Sequence, residues 1–295
     1  MKRRLYHWAD RWAVRVADWM GLTLARATPL DLRGCDIHPL EAWYRAGRYQ
    51  PVLMDVPLSK LRGLGSAAFP CTRDSGHPFI ETLLEYESGK TRGYAGSALE
   101  RFYQNWQPKN AAEYLGIADD PGCAKVRELE AVEEVLPWRR EYPSIQQKTV
   151  RYSVTRNSAS KRGRIQEGKD RHNFFGPATD EFVAHEYERL INAYTSIANY
   201  RFQRRDTSDG DIRGTVILDD DEWCVLISGG GQHRSSALAA LGFDVAPVRL
   251  FYSLPMIVRR DESSYWPHVI DGLFEKRAAL KIFDRVLDGR SPWCG

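Results

Sequence analysis

The sequence predicts an α+β fold: a small mixed sheet with helices in the C-terminal half, preceded by a mainly helical N-terminal region. Three observations carry that reading. Two short apolar runs, Gly214–Leu218 and Trp223–Ile227, flank Asp219-Asp220-Asp221 in the manner of a hairpin. The second run passes through Gly229-Gly230-Gly231 straight into a helix at Ser235–Leu241, which Gly242 ends. The stretch Asp180–Asn199 sets Phe182, Tyr187, Leu190, Ile191, Tyr194 and Ile197 on one helical face.

The remaining elements follow in chain order. Residues 3–20 read as an amphipathic helix, with Leu5, Trp8, Trp12, Val16, Trp19 and Met20 on one stripe and Gly21 as its stop. Such a helix docks on the protein's own body or a second subunit, or lies on a membrane surface. Pro29, Pro39, Pro51 and Pro57 punctuate the next stretch, with a short helix expected at Pro39–Ala46 and a strand at Gln50–Val56. Residues 66–79 read as a loop, followed by helices near Phe79–Ser88, Ser97–Trp106 and Asn110–Leu115. The turn former Asp119-Asp120-Pro121-Gly122 marks a boundary region. A strand at Thr149–Thr155 and a basic loop lead to the second half, where Val245–Tyr252 supplies a further strand. A last helix carries Ala278, Ala279, Ile282, Phe283, Val286 and Leu287 on one face. The organisation expected is therefore an amphipathic helix over 1–25, a mainly helical region over 26–148, a sheet-bearing domain over 149–252 and a helical extension over 253–295.

Composition excludes more than it selects. Hydrophobic residues at 43% and charged residues at 27% are those of an ordinary globular chain. A net charge of +3 over 295 residues argues against a bulk binder of polyanions, although Arg151–Lys169 concentrates six cations against Glu167 alone. The five cysteines contain no C-x-x-C pair, which speaks against zinc and against a disulfide framework and fits a reducing cytoplasm. His185-Glu186 opens like H-E-x-x-H, but Arg189 stands where the second histidine is needed. No apolar run nears the ~20 residues that cross a bilayer. Asp10, Arg11, Arg15 and Asp18 interrupt any signal-peptide core, so a cytoplasmic protein is expected, touching a membrane at most peripherally through residues 3–20.

Chemistry concentrates in Gly229-Gly230-Gly231-Gln232-His233-Arg234-Ser235. Glycines admit positive φ and let a ligand approach main-chain amides. The start of a helix adds unsatisfied N–H donors and a dipole that favours anions. His233 and Arg234 supply side-chain donors, and Ser235 and Ser236 supply hydroxyls or a cap. The Walker pattern fails for want of a lysine, and G-x-G-x-x-G fails because Arg234 occupies its last glycine. An anion site fits these residues, as does a plain turn before a core helix.

Thr195-Ser196-Ile197 on a helix, a hairpin, a Gly-x-His-Arg turn, a short helix and Gly242-Phe-Asp-Val-Ala-Pro-Val248 follow one another in an order that resembles the ParB/sulfiredoxin superfamily over roughly residues 149–252. Sulfiredoxins carry G-G-C-H-R, and Gly230-Gly231-Gln232-His233-Arg234 has glutamine in place of the reactive cysteine, so sulfinic-acid reduction is not implied. The resemblance implies instead a site for ATP or CTP, with Mg2+ bridging the phosphates, built from Gly229 to Ser235. In the kinase members a glutamate ahead of the "S-I" helix is the general base on the acceptor hydroxyl. Glu186 is the first choice for that role among Asp180, Glu181, Glu186 and Glu188, with His233 as its catalytic companion.

The function expected is an ATP-dependent phosphotransferase acting on a small hydroxyl-bearing metabolite or sugar. The alternative is a ParB-like, nucleotide-gated binding or switch protein; DNA is not its favoured partner, since the stretch after Phe251 shows no helix-turn-helix, and the basic loop at 151–169 is what keeps DNA in view. A nuclease would need a metal-binding carboxylate cluster, and Asp219–Asp221 reads as a turn. Three further runs have both a functional and a structural reading. Asp74-Ser75-Gly76-His77-Pro78 offers an acceptor-binding loop, Asn173-Phe-Phe-Gly-Pro177 a flap over the nucleotide or a rigid turn, and Ser264-Tyr-Trp-Pro-His268 a base-stacking surface or packing for the last helix.

Overall fold

Strand β2 (Val52–Pro57) pairs with β7 (Val245–Leu250) in an antiparallel ladder running from Val52 opposite Leu250 to Pro57 opposite Val245. This ladder ties the two halves of the chain together. The computed structural model describes residues 28–46, 50–144, 174–203, 211–228, 230–251 and 255–293. Among them the strands are β1 (Leu30–Asp31), β2, β3 (Leu61–Gly63), β4 (Phe69–Pro70), β5 (Ile212–Asp219), β6 (Glu222–Ile227), β7 and β8 (Ile257–Arg259). They form one mixed sheet in the order β1-β2-β7-β5-β6-β3-β4, with β8 alongside β5. Strand β5 turns into β6 through Asp220, whose φ of 48° provides the left-handed step of the hairpin. Its first residues run parallel to β7 and its later ones parallel to β8.

The sheet is therefore not confined to the C-terminal half. Half of its strands come from the stretch expected to be mainly helical, because β7 and β6 each need a second neighbour for their backbone groups. Val52, Met54 and Val56 alternate into the core to complete β7, and Leu61–Gly63 completes β6.

Both faces of the sheet are apolar where helices cover them. Val216, Leu218, Val225, Ile227, Ala246, Val248 and Leu250 point to one core. It is closed by α2 (Pro78–Glu87), α3 (Ala98–Asn105), α6 (Asp180–Tyr200) and α7 (Gln232–Ala240). Ile217, Cys224, Leu226 and Val258 point the other way into a second core with α9 (Lys276–Asp288) and Trp138. Shorter helices are α1 (Pro39–Arg45), α4 (Ala111–Tyr114), α5 (Ala124–Arg127) and α8 (Pro267–Ile270). Helix starts follow their sequence signals: Ser97 Oγ accepts from the Glu100 amide, and Thr179 caps α6 by accepting from Phe182.

Two buried arginines lock α9 down. Arg285 donates to the carbonyls of Leu115, Ala67, Arg290 and Ser66, and burial pulls its guanidinium down to about 10. Arg62 donates to Val286 and Leu287 at the C-terminal end of α9. The expected helix over 3–20, the strand Thr149–Thr155 and the basic loop 151–169 lie outside the described residues. Among the described residues no helix is long and apolar enough to cross a membrane.

Candidate functional site

The turn from β6 into α7 is held by close backbone packing. Gly230 and Gly231 have φ of +133° and +112°. A Cβ on Gly231 would stand 2.8 Å from the Cα of Ile212, so glycine is required there by both conformation and space. The Arg213 amide donates to Gly230 O at 3.2 Å, and the Ser228 amide donates to Arg213 O at 2.9 Å, pinning the turn to the first residues of β5. Gly231 is the N-cap of α7 and brings no side chain of its own, so no side-chain cap satisfies the first-turn amides at the positive end of the helix dipole. Gly229 lies outside the described residues.

His233 and Arg234 are successive residues on α7 and so diverge by about 100° around its axis. His233 turns toward α6. Its Nε2 lies 3.0 Å from Glu186 Oε2, and its ring stacks on Phe79 at 5.1 Å and 14°. The other oxygen of Glu186 accepts from Arg189, one turn further along α6. The Glu186 side chain is only 4% exposed, and that of His233 17%. Burial works to raise the Glu186 carboxyl, but the bond to His233 and the charge of Arg189 outweigh it and hold the group at about 2. Glu186 is thus an ionised, enclosed carboxylate with both oxygens engaged. A base that must take a proton from an acceptor has to reach it and to have a pKa near the working pH. Glu186, expected as the general base, has both oxygens held by His233 and Arg189, which is the geometry of a group that orients His233. With Nε2 committed to Glu186, Nδ1 is the His233 nitrogen left for other partners.

Arg234 turns the other way. Its Nη2 donates to the carbonyl of Asp211 at 3.2 Å, just before β5. The Asp211 carboxylate in turn lies 3.4 Å from Arg249 Nη1. Arg249 on β7 is the register partner of Arg213 on β5. Arg213 Nη2 lies 3.4 Å from where a Cβ on Gly230 would be. Like charges on directly opposed strand positions repel. Arginines from two strands and a helix start nevertheless gather near Asp211, Arg249 at its carboxylate, Arg234 at its backbone carbonyl and Arg213 two residues along β5. Arg249 also keeps a buried Nε with no hydrogen-bond partner among the described residues. This is a concentrated cationic site beside the glycine turn.

The other expected site residues separate from it. Gln232 turns into the sheet: its Oε1 accepts from the Leu64 amide at 2.8 Å and its Nε2 donates to Ile227 O at 3.4 Å. Ser235 and Ser236 are fully buried and both hydroxyls donate back to Gln232 O, so neither side chain faces a ligand. His77 is enclosed and caps α2, with its Nδ1 accepting from the Phe79 amide, and burial pushes its imidazole down to about 3. It is a neutral structural cap rather than part of an acceptor loop. From the Asn173–Pro177 segment, Phe175 packs on Tyr114 at 4.9 Å and the Gly176 amide donates to Trp106 O, so this is a packed turn and not a flap. Trp266 stacks on Phe283 and the buried His268 approaches Glu141 O at 2.9 Å, so that run packs the C-terminal helix.

Among the described residues no group of three or more histidines, cysteines or carboxylates is placed to hold a metal ion. The Asp211 carboxylate beside the arginines is already paired with Arg249. The described residues thus provide no cage for Mg2+, and a cation bound to ligand phosphates would fit them. No protein-family model, curated protein or solved structure matches this chain.

Proposed function

We propose that the chain is a nucleotide-binding protein of the ParB/sulfiredoxin kind that takes ATP or CTP, and that it transfers phosphate from ATP to a small hydroxyl-bearing acceptor. One observation carries the reading: Arg213, Arg234 and Arg249 converge beside a glycine turn that opens a helix. Guanidinium groups grip phosphate oxygens in pairs, and first-turn amides add neutral donors to the same anion. Magnesium carried on the phosphates would supply charge neutralisation during transfer. On the other side of the same helical turn, His233 is oriented by Glu186 and presents Nδ1 to an acceptor hydroxyl. It holds that proton while Glu186 stabilises the imidazolium.

A thermal-shift series with ATP, CTP, their diphosphates and Mg2+ tests the binding step. Selective stabilisation by a triphosphate is expected, and Arg234→Ala should remove it. A shift that survives Arg234→Ala refutes the site. His233→Gln should leave binding intact and abolish ATP consumption in the presence of acceptors. The second reading, a nucleotide-gated switch, is favoured by the enclosure of Glu186 between His233 and Arg189, which couples α6 to α7 without exposing a carboxylate. Binding of a triphosphate with no turnover for any acceptor selects it, and salt-dependent DNA retention would identify DNA as its partner.

A further inference from the structure

We propose that Asp211 is a built-in competitor for the phosphate site: its carboxylate holds Arg249, one of the arginines that a ligand phosphate takes, and the ligand must displace it there. This rests on the reading of the arginine cluster as a phosphate site. Asp211 is 4% exposed at its side chain, lies 3.4 Å from Arg249 Nη1 through Oδ2, and offers its own carbonyl to Arg234. It stands two residues before Arg213, whose strand partner is Arg249. Arg33, bound to Asp31 at 2.6 Å, adds a cation at the same end of the sheet: its guanidinium is raised first by Asp31 and further off by Asp55 and Asp211.

The physical need for Asp211 follows from this crowding. Arginines held side by side repel, and a half-buried guanidinium is better placed with a counter-charge than without one. In the free protein the Asp211 carboxylate supplies that counter-charge. A phosphate arriving at Arg249 and Arg234 brings the same kind of oxygen acceptors, so the two anions compete for Arg249. The resident one is tethered, which gives it an effective concentration that a free ligand must outbid.

Displacement leaves a signature that other roles do not. Removing a displaced competitor improves every phosphate ligand by the same factor, since the cost of expelling it is the same each time. Removing a carboxylate that stays in place and merely repels improves ligands more as their charge grows. Removing a carboxylate that orients the arginines weakens all of them. The experiment is isothermal titration of the full chain with inorganic phosphate, pyrophosphate and tripolyphosphate, comparing wild type with Asp211→Asn. A uniform gain of about tenfold is expected, the scale of one partly buried ion pair. In an Arg249→Met background the Asp211→Asn gain should vanish. A gain that climbs from phosphate to tripolyphosphate, an unchanged affinity or a loss overturns the proposal while leaving the phosphate site standing. Failure of wild type and Asp211→Asn alike to bind any of the three probes overturns the site itself. Asp211→Ser, read in the same way, serves where the asparagine variant does not fold.

Discussion

Replacing Glu186 with glutamine isolates the charge at the α6–α7 contact with almost no change in volume. The carboxylate accepts from His233 and Arg189 and is nine-tenths or more enclosed. Its group is held at about 2 against an ordinary 4.5. At about 1.4 kcal/mol per unit, that difference is worth roughly 3 kcal/mol to the folded state. Glutamine keeps one oxygen acceptor and Arg189 stays partly in water, so a loss of about 2–3 kcal/mol at pH 7 is expected. The folded value lies below the unfolded one, so the stabilisation is complete above the unfolded value and fades as pH falls toward the folded one. The gap between wild type and Glu186→Gln should therefore hold from pH 7 to about 5 and close between about 5 and 2. Urea unfolding of both proteins at pH 7, 5, 4 and 3 measures it. A gap that stays constant down to pH 3 would falsify the assignment of Glu186 as a buried, paired carboxylate.

Two other substitutions test the packing that shapes the site. Gly231→Ala combines a φ of +112° with a Cβ 2.8 Å from the backbone of Ile212 and should cost about 2–4 kcal/mol in chemical denaturation, whereas Gly230→Ala meets only the end of Arg213 at 3.4 Å and should cost less. Arg285→Lys keeps the charge but not the fork that reaches four carbonyls, and a loss of about 2–4 kcal/mol in urea unfolding is expected, with an unchanged midpoint refuting the role of the guanidinium as a staple.

Much of this architecture is legible in the sequence because local signals and packing agree. His77-Pro78, Ser97 and Thr179 each precede a helix and each caps it, and the Asp219–Asp221 turn joins two strands that alternate between the two cores. What escapes is short. Strands β3 and β4 hold three and two residues among turn formers, too few for an alternation to show. The enclosure of Glu186 escapes for a different reason. At four residues after Phe182 and four before Leu190 it sits on the buried stripe of α6, a position that predicts enclosure and a fixed partner rather than a mobile base. Arg213 and Arg249 go unnoticed beside the glycine turn. Their signal is a lone arginine inside an otherwise apolar strand, Ile-Arg-Gly-Thr-Val-Ile-Leu and Val-Ala-Pro-Val-Arg-Leu. A charge in that setting needs a counter-ion, and only the register, which places the two arginines opposite each other, brings both beside Asp211, the ion-pair partner of Arg249.

The first turn of α7 joins two electrostatic environments that the fold keeps apart. On one side a carboxylate from α6 is spent on His233 and Arg189, which leaves an imidazole oriented and partly exposed. On the other, Arg234 holds the carbonyl of Asp211 and Arg249 of β7 its carboxylate, with Arg213 of β5 opposite Arg249. Each side depends on an element remote in sequence, so neither could form from the glycine turn and its flanking residues alone. Gln232 keeps the sides in register: its side chain is anchored to Leu64 of the N-terminal half and to Ile227 of β6, which fixes the rotation of the helix that carries both His233 and Arg234. In the sulfiredoxin pattern this position bears a reactive group. Here its amide is consumed by structure, and any chemistry at the turn falls to the residues on either side of it.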